Sequence, residues 1–278
     1  MSLNTTFFDT GSCKYCYESM AEAAGLAFAI LGAFHNAMQC FDYIQLAGDF
    51  DQDYQTATLK LDVARLRLSR WGVSVGLDRV DQTTETLPGA AGSLSEHEKA
   101  KNLLEQIVYL FNHAESQSAT LKSPKDERNT GAYDATQDLD QAAASLHQKL
   151  ERLSLKRFKP SNVLKKAKWA LYKEKYLNRL IQDTTELIDG LIDLFPAAQP
   201  EQQRLCADEG TELAADENRS LIVPIIAEQD PSLSSAIQSQ HPKKEGQTFN
   251  ITFAGSQNHG LQQGYFSGQQ TNNFGARS

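Results

Sequence analysis

The chain has 278 residues, of which 40% are hydrophobic and 22% charged, with a formal net charge of -8. That is material for one or two domains with a real core, and a mean hydropathy of -0.47 argues against a membrane-resident class. The acidic balance counts against nucleic acid as a partner. Charge is unevenly spread: Lys149 to Arg179 holds eleven Lys/Arg against two Glu, whereas Glu201 to Glu245 is mainly acidic. Such segregation points to separate parts with separate jobs. The four cysteines predict free thiols in a reducing compartment, because the Cys13/Cys16 CxxC has no second pair or CxxH at zinc-site spacing. No metal and no cofactor are expected. The apolar stretch near the N-terminus follows Asp9, Glu18 and Glu22 rather than a basic region. A secretory signal is therefore not expected, and the predicted location is cytoplasmic.

Residues 1–19 read as a polar and aromatic lead-in. From Met20 to Leu46 the pattern predicts a long helix, apolar around most of its circumference at first and amphipathic later. A second helix, about Gln52 to Trp71, places Leu61, Ala64, Leu68 and Trp71 on one face, with Lys60, Arg65 and Arg67 pointing elsewhere. Ser95 and Glu98 make a capping-box pattern opening a helix through "AKNLLEQIVYLFNHA". A polar loop, Pro124 to Tyr133, leads to a helix over Thr136–Leu155, which Pro160 stops. Ser161 then opens a long helix ending at "LIDLFP", closed by Pro196. No period-2 alternation occurs before residue 196, so the predicted fold class is all-α, a multi-helix bundle over 20–196. Residues 197–245 read as an acidic disordered linker. Within it "LIVPII" is a candidate docking segment, in which Pro224 argues against a stable helix.

Motifs for catalysis are weak. "GVSVG" (Gly72 to Gly76) matches the serine-hydrolase nucleophile elbow, but Ser74 follows a helix rather than the strand that motif requires. The histidines show no HxxxH or HxxE pairing, and no Gly-rich phosphate loop exists. The chain is not expected to be an enzyme. In "KKAKWALYKEKYLNRL", Lys165, Lys166, Lys168, Lys173 and Lys175 alternate with Trp169, Tyr172 and Tyr176. This suits anionic lipid headgroups or nucleic acid, and equally a solvated helix face. Ala23 to Phe34 is twelve residues without a charge, short of the roughly 20 needed to span a bilayer. Gly25, Ala29 and Ala33 recur at every fourth position, a row on which membrane helices associate. The central helix of a bundle has the same look, and that is the expectation for the resting protein.

The blocks "CFDYIQLAGDFDQDYQTATLKLDVARLRLSRWGVSV" (Cys40 to Val75) and "KKAKWALYKEKYLNRLIQD" (Lys165 to Asp183) resemble the fungal HeLo domain of the prion-forming heterokaryon-incompatibility proteins. The similarity covers roughly residues 20–195. It implies a helical bundle that executes cell death when a C-terminal amyloid segment templates on an upstream partner. The bundle then refolds and its hydrophobic helix enters the plasma membrane. On this sequence the inserting element falls on Ala23, Ala24, Gly25, Leu26, Phe28, Ala29, Ile30, Leu31, Ala33 and Phe34. Two features depart from the pattern. The lead-in precedes that helix, and the tail lacks paired charge-bearing repeats, its text being nearer the sigma-type motifs.

The tail over 246–278 supports an assembling role by its own chemistry. Gly246 to Gly275 passes thirty residues without Asp, Glu, Lys or Arg. "TFNITF" alternates Phe249, Ile251 and Phe253 with polar residues including Asn250, a cross-β signature. Gln257, Asn258, Gln262, Gln263, Gln269, Gln270, Asn272 and Asn273 can stack as amide ladders, and Tyr265, Phe266 and Phe274 as aromatic ones. A flexible tail without function has the same composition. The expected partners are further copies of this chain, an upstream protein with a matching motif (a nucleotide-binding receptor is one candidate), and the membrane. The competing expectation is a non-toxic scaffold or signalling adaptor assembling through the tail.

Overall fold

A computed structural model describes residues 11–46, 53–81, 84, 86–121, 139–157, 169–171 and 174–240. The chain divides into two compact units, 1–241 and 242–278, and the second lies outside the described residues. In order, the elements are α1 (Gly11–Tyr43), β1 (Ile44–Leu46), α2 (Asp53–Ser74), α3 (Leu94–Leu121), α4 (Gln141–Arg157), β2 (Trp169–Leu171), α5 (Glu174–Leu194), α6 (Gln199–Ala214), α7 (Arg219–Gln229) and α8 (Pro231–Gln240). Short 3-10 turns stand at Leu77–Arg79 and Pro196–Ala198. The fold is an all-α bundle, as the periodicity predicts.

The centre of the bundle is α2. It packs against α1, α4, α5, α6 and α7, and every residue from 61 to 72 is buried. Leu61, Ala64, Leu68 and Trp71 are core residues as expected, but Arg65 and Arg67 are buried too. A helix enclosed by five others has no solvent face, so its arginines must find carboxylates inside the bundle. Trp71 closes one such account for a polar group: its Nε1 donates to the Leu191 carbonyl of α5 at 2.9 Å. At the end of α2 the chain reverses through Gly76, whose φ of +84° is a left-handed conformation that glycine adopts without steric cost.

Three expectations shift at the boundaries. The capping box of α3 is Ser93 with Glu96, two residues ahead of the predicted pair. The Ser93 amide donates to Glu96 Oε2 at 2.6 Å and the Glu96 amide to Ser93 Oγ at 3.3 Å. The segment carries the same Ser-x-x-Glu spacing twice, and the earlier copy wins. Of the helix predicted from Ser161, the part from Glu174 is seen as α5, while 161–168 and 172–173 lie outside the described residues. Ahead of it Trp169–Leu171 runs parallel to Ile44–Leu46, pairing Ile44 with Trp169, Gln45 with Ala170 and Leu46 with Leu171. Periodicity alone does not separate so short an apolar run from a helical turn. The lead-in, too, is helical from Gly11 onward.

The largest correction concerns residues 197–245, read as a disordered linker. Residues 199–240 form α6, α7 and α8, with α6 and α7 against α2 and α8 against both α6 and α7. Pro224 sits inside α7. A proline within a helix costs about 3 kcal/mol, whereas burying Ile222, Ile225 and Ile226 contributes about 1.5–3 kcal/mol each. Burial wins, and the helix forms. The predicted Pro124–Tyr133 loop and tail lie outside the described residues.

Candidate functional site: an apolar helix and a buried charge clamp

From residue 25 onward, α1 buries Ala27, Ile30, Phe34, Ala37, Met38 and Phe41, a spacing of three and four that makes one stripe. Ala33 is buried beside it. Gly25, Phe28 and Gly32 are exposed, with Phe28 47% accessible, while Leu26, Ala29 and Leu31 are half-buried. The side chains of Ala23 and Ala24 lie outside the described set. Thus α1 is a peripheral helix with one wet face and not the central helix of the bundle. Its row of small residues runs from the exposed Gly25 to the buried Ala33, so it is no packing seam.

Aromatic contacts help to seat this helix against α3 and α2. Phe41 meets Phe111 of α3 edge-on, ring centres 5.0 Å apart. Phe34 lies over Gly72 of α2 and near Trp71, with ring centres 6.2 Å apart. A Cβ on Gly72 would stand 2.5 Å from Phe34 Cζ, so glycine there is what permits the approach. Beside this contact a cavity of about 350 Å³ opens, lined by Leu31, Phe34, His35, Val73, Leu77 and Lys156. Burial lowers the His35 imidazole below its ordinary value, leaving it neutral. Among the described residues, no helix is long and apolar enough to cross a membrane.

Sequence reasoning missed the second feature. Arg70, in mid-bundle, donates to Asp230 through Nη2 and, at 3.4 Å, through Nη1. It also pairs with Glu209 Oε2 at 3.1 Å. Arg157 of α4 donates to Glu209 from the other side. Glu209 is fully buried and Asp230 is 2% exposed. Two guanidiniums meet two carboxylates, so the cluster is neutral as a whole. It joins α2 and α4 to α6 and to the α7–α8 corner, where Asp230 also accepts from the Leu233 amide at 3.1 Å. Beside it, burial pushes the Cys206 thiol up to about 12, so it stays protonated. The signal was present in the sequence. Leu205, Glu209 and Leu213 share one α6 stripe at intervals of four, an acid among apolar neighbours, facing a helix rich in arginine.

A third cluster links α1, α2 and α4. His147 Nδ1 bonds Asp62 Oδ2 at 2.7 Å, and Arg65 pairs with Asp42 of α1 at 2.7 Å. The bond to Asp62 raises the His147 imidazole above its ordinary value. Of the predicted lipid-contacting lysines, Lys165, Lys166, Lys168 and Lys173 lie outside the described residues, as does the side chain of Lys175 at the start of α5. Ser74 is buried at the end of α2 and donates to the Trp71 carbonyl at 2.8 Å, with no strand before it, so the elbow motif is coincidental. None of the tail residues from Phe249 to Phe274 lies within the described set.

The HeLo family, described as prion-inhibition and propagation, matches residues 23–222. Heterokaryon incompatibility proteins S and s of Podospora anserina are each 31% identical to the chain over 180 residues. Those alignments take in 65% and 64% of this chain, and 59% and 61% of the relatives. The chain thus spans about three fifths of the length of these curated relatives. The solved HET-s N-terminal domain superposes with a TM-score of 0.67 at 27% identity, covering 76% of this chain and 95% of that one. A doubly substituted form of the same domain gives the same score, with 97% of it covered. With more than half its length matched and the same helical architecture, the chain belongs to the HeLo family.

Proposed function

We propose that this chain is a non-enzymatic cell-death effector of fungal non-self recognition, of the heterokaryon-incompatibility type. Family membership running from α1 into α7 is the observation that carries it. In this reading the tail over 246–278 assembles with further copies and with an upstream protein bearing a matching motif. The bundle loosens, α1 leaves its seat, and the stretch Ala23–Phe34 enters the membrane while the basic segment at Lys165–Lys175 meets anionic headgroups. The chain moves from the cytoplasm to the plasma membrane. What supports the release step is the construction of α1: peripheral, wet on one face, and seated beside a cavity.

The experiment is expression of the full chain and of a version ending at residue 245 in fungal cells, scored for viability alongside leakage of anionic liposomes. Killing and leakage by the full chain, both lost on truncation, are the expected results. The observation favouring a second reading is that no described helix is long and apolar enough to span a bilayer. A non-toxic scaffold assembling through its tail needs none. Fibril formation without leakage or killing would establish the scaffold instead.

A further inference from the structure

The cavity of about 350 Å³ beside the Phe34–Gly72 contact falls within the roughly 300–1,000 Å³ range of small-molecule sites. Helix α1 supplies one wall, and α2, the Leu77–Arg79 turn and the end of α4 supply the others. Leu31, Phe34, Val73, Leu77 and Val80 form its apolar lining. Leu31, Val73 and Val80 are half-buried and keep accessible surface. Two glycines shape the space. Gly72 lets the Phe34 ring lie against α2, and the left-handed Gly76 reverses the chain, after which Leu77 and Val80 join the lining.

The polar groups of the lining are already matched. Ser69 Oγ donates to the Leu66 carbonyl at 2.7 Å. Lys156 pairs with Glu212 at 2.9 Å, Asp78 with Arg79 at 3.8 Å, and Arg157 with the buried Glu209. His35, neutral through burial, adds no charge. A charged guest would have to draw one of these groups from its partner, while the apolar walls offer its charge nothing. An uncharged guest disturbs none of them and gains by the apolar area it removes from water. An apolar cavity of about 150 Å³ takes benzene, so about 350 Å³ gives room for one or two rings. The Phe34 and His35 rings, tilted with centres 6.2 Å apart, give an aromatic guest edge-to-face or offset partners. We propose that this cavity binds a small uncharged aromatic molecule of one or two rings, which holds α1 in its seat. Because α1 is one wall, it cannot leave without losing the guest. A molecule that binds only the seated state favours that state by mass action, about tenfold at ten times its dissociation constant. Binding and the hold on α1 stand apart from the cell-death reading. Only the further step, that an occupied cavity delays membrane entry, rests on it.

The test uses the full chain with methyl-labelled leucine and valine. Indole and 2-naphthol are titrated as uncharged probes, beside naphthalene-2-sulfonate and 2-naphthylmethylammonium as charged ones. At least one uncharged probe should bind saturably at one site, with nuclear Overhauser contacts to the methyls of Leu31, Val73 and Leu77. At ten times its dissociation constant it should slow amide exchange over Ala27–Phe41 by about tenfold. Val73→Phe, which fills the cavity from a half-buried position, should weaken binding by about tenfold or more with an unchanged helical spectrum. Should that variant fail to fold, the Overhauser contacts in the wild-type chain decide alone. No saturable binding by either uncharged probe, contacts confined to other methyls, or unchanged exchange over α1 at saturation would each overturn the proposal. So would a charged probe binding as tightly as the better uncharged one. In seeded liposome leakage, a delay by the bound probe carries the proposal through to membrane entry. Unchanged leakage while α1 exchange is slowed would count against release of α1 in the proposed mechanism, and not against the site.

Discussion

Replacing Arg70 by Met would leave Glu209 and Asp230, both almost wholly buried, without the guanidinium that joins them. Arg157 would still reach Glu209, but Asp230 would keep only the Leu233 amide and, 4.0 Å away, Arg67. Removing one partner of a buried pair costs about 3–5 kcal/mol because the other charge stays desolvated. Urea unfolding of Arg70→Met should show a loss of that size, and a loss below about 1 kcal/mol would mean the cluster is hydrated. His147 makes the matching case for pH. Its imidazole is raised above 6.5 by the bond to Asp62, with Glu151 adding to the effect while burial and Arg65 oppose it. A group raised on folding contributes stability in full below its unfolded value and loses it as pH rises through the folded one. Stability should therefore fall on passing from slightly acid to alkaline pH. His147→Gln should flatten that dependence; an unaltered pH profile would place the titrating group elsewhere.

At the scale of elements, α1 and α6 show what a sequence discloses and what it hides. The apolar stripe of α1 from Ala27 to Phe41 is written plainly at helical spacing, and the core of α2 with it. Which helix stands at the centre was not legible, because α2 carries its burial with arginines whose partners lie more than a hundred residues away. For the same reason α6 reads as disordered. Its stripe includes Glu209, which lowers local hydropathy but is a core residue once Arg70 and Arg157 face it. Composition scores residues singly, whereas burial is decided by pairs. The contact of α1 with α2 offers a direct test. Gly72→Ala places a methyl 2.5 Å from Phe34 Cζ, and overpacking of this kind costs about 1–3 kcal/mol. The variant should unfold at lower urea and, in the proposed mechanism, leak liposomes without seeding. Destabilisation without leakage would detach α1 from the permeabilising step. Phe28→Lys does the reverse. Phe28 is 47% exposed, so folding should change by no more than about 0.5 kcal/mol, yet a charge at mid-helix costs about 2.5–3.5 kcal/mol on insertion. Full leakage by a folded Phe28→Lys chain would show that another segment inserts.

At the scale of the whole molecule the question is why a chain with 22% charged residues carries, from Gly246 to Gly275, thirty in a row that have none. Identical residues in a cross-β stack lie about 4.7–4.8 Å apart, so an ionised side chain would face its own copy in every layer. At that spacing the repulsion is about 1 kcal/mol even in bulk water and grows as water is excluded. Amides and aromatics pair with themselves instead. The peptide 246–278 should accordingly form seedable fibrils, and Ile251→Lys should stop both fibril growth and killing while the bundle keeps its helical spectrum. The proposed mechanism makes the tail a trigger and the seating of α1 the brake, which orders the two parts. If so, Gly72→Ala, which weakens the brake, should kill cells even when combined with Ile251→Lys, because the step the tail would drive has already been taken. The decisive measurement is viability of the double variant beside each single one. Killing in the double variant at the level of Gly72→Ala alone places the tail upstream of α1. A double variant as harmless as Ile251→Lys would show that the tail acts at the membrane itself and not through release of the helix.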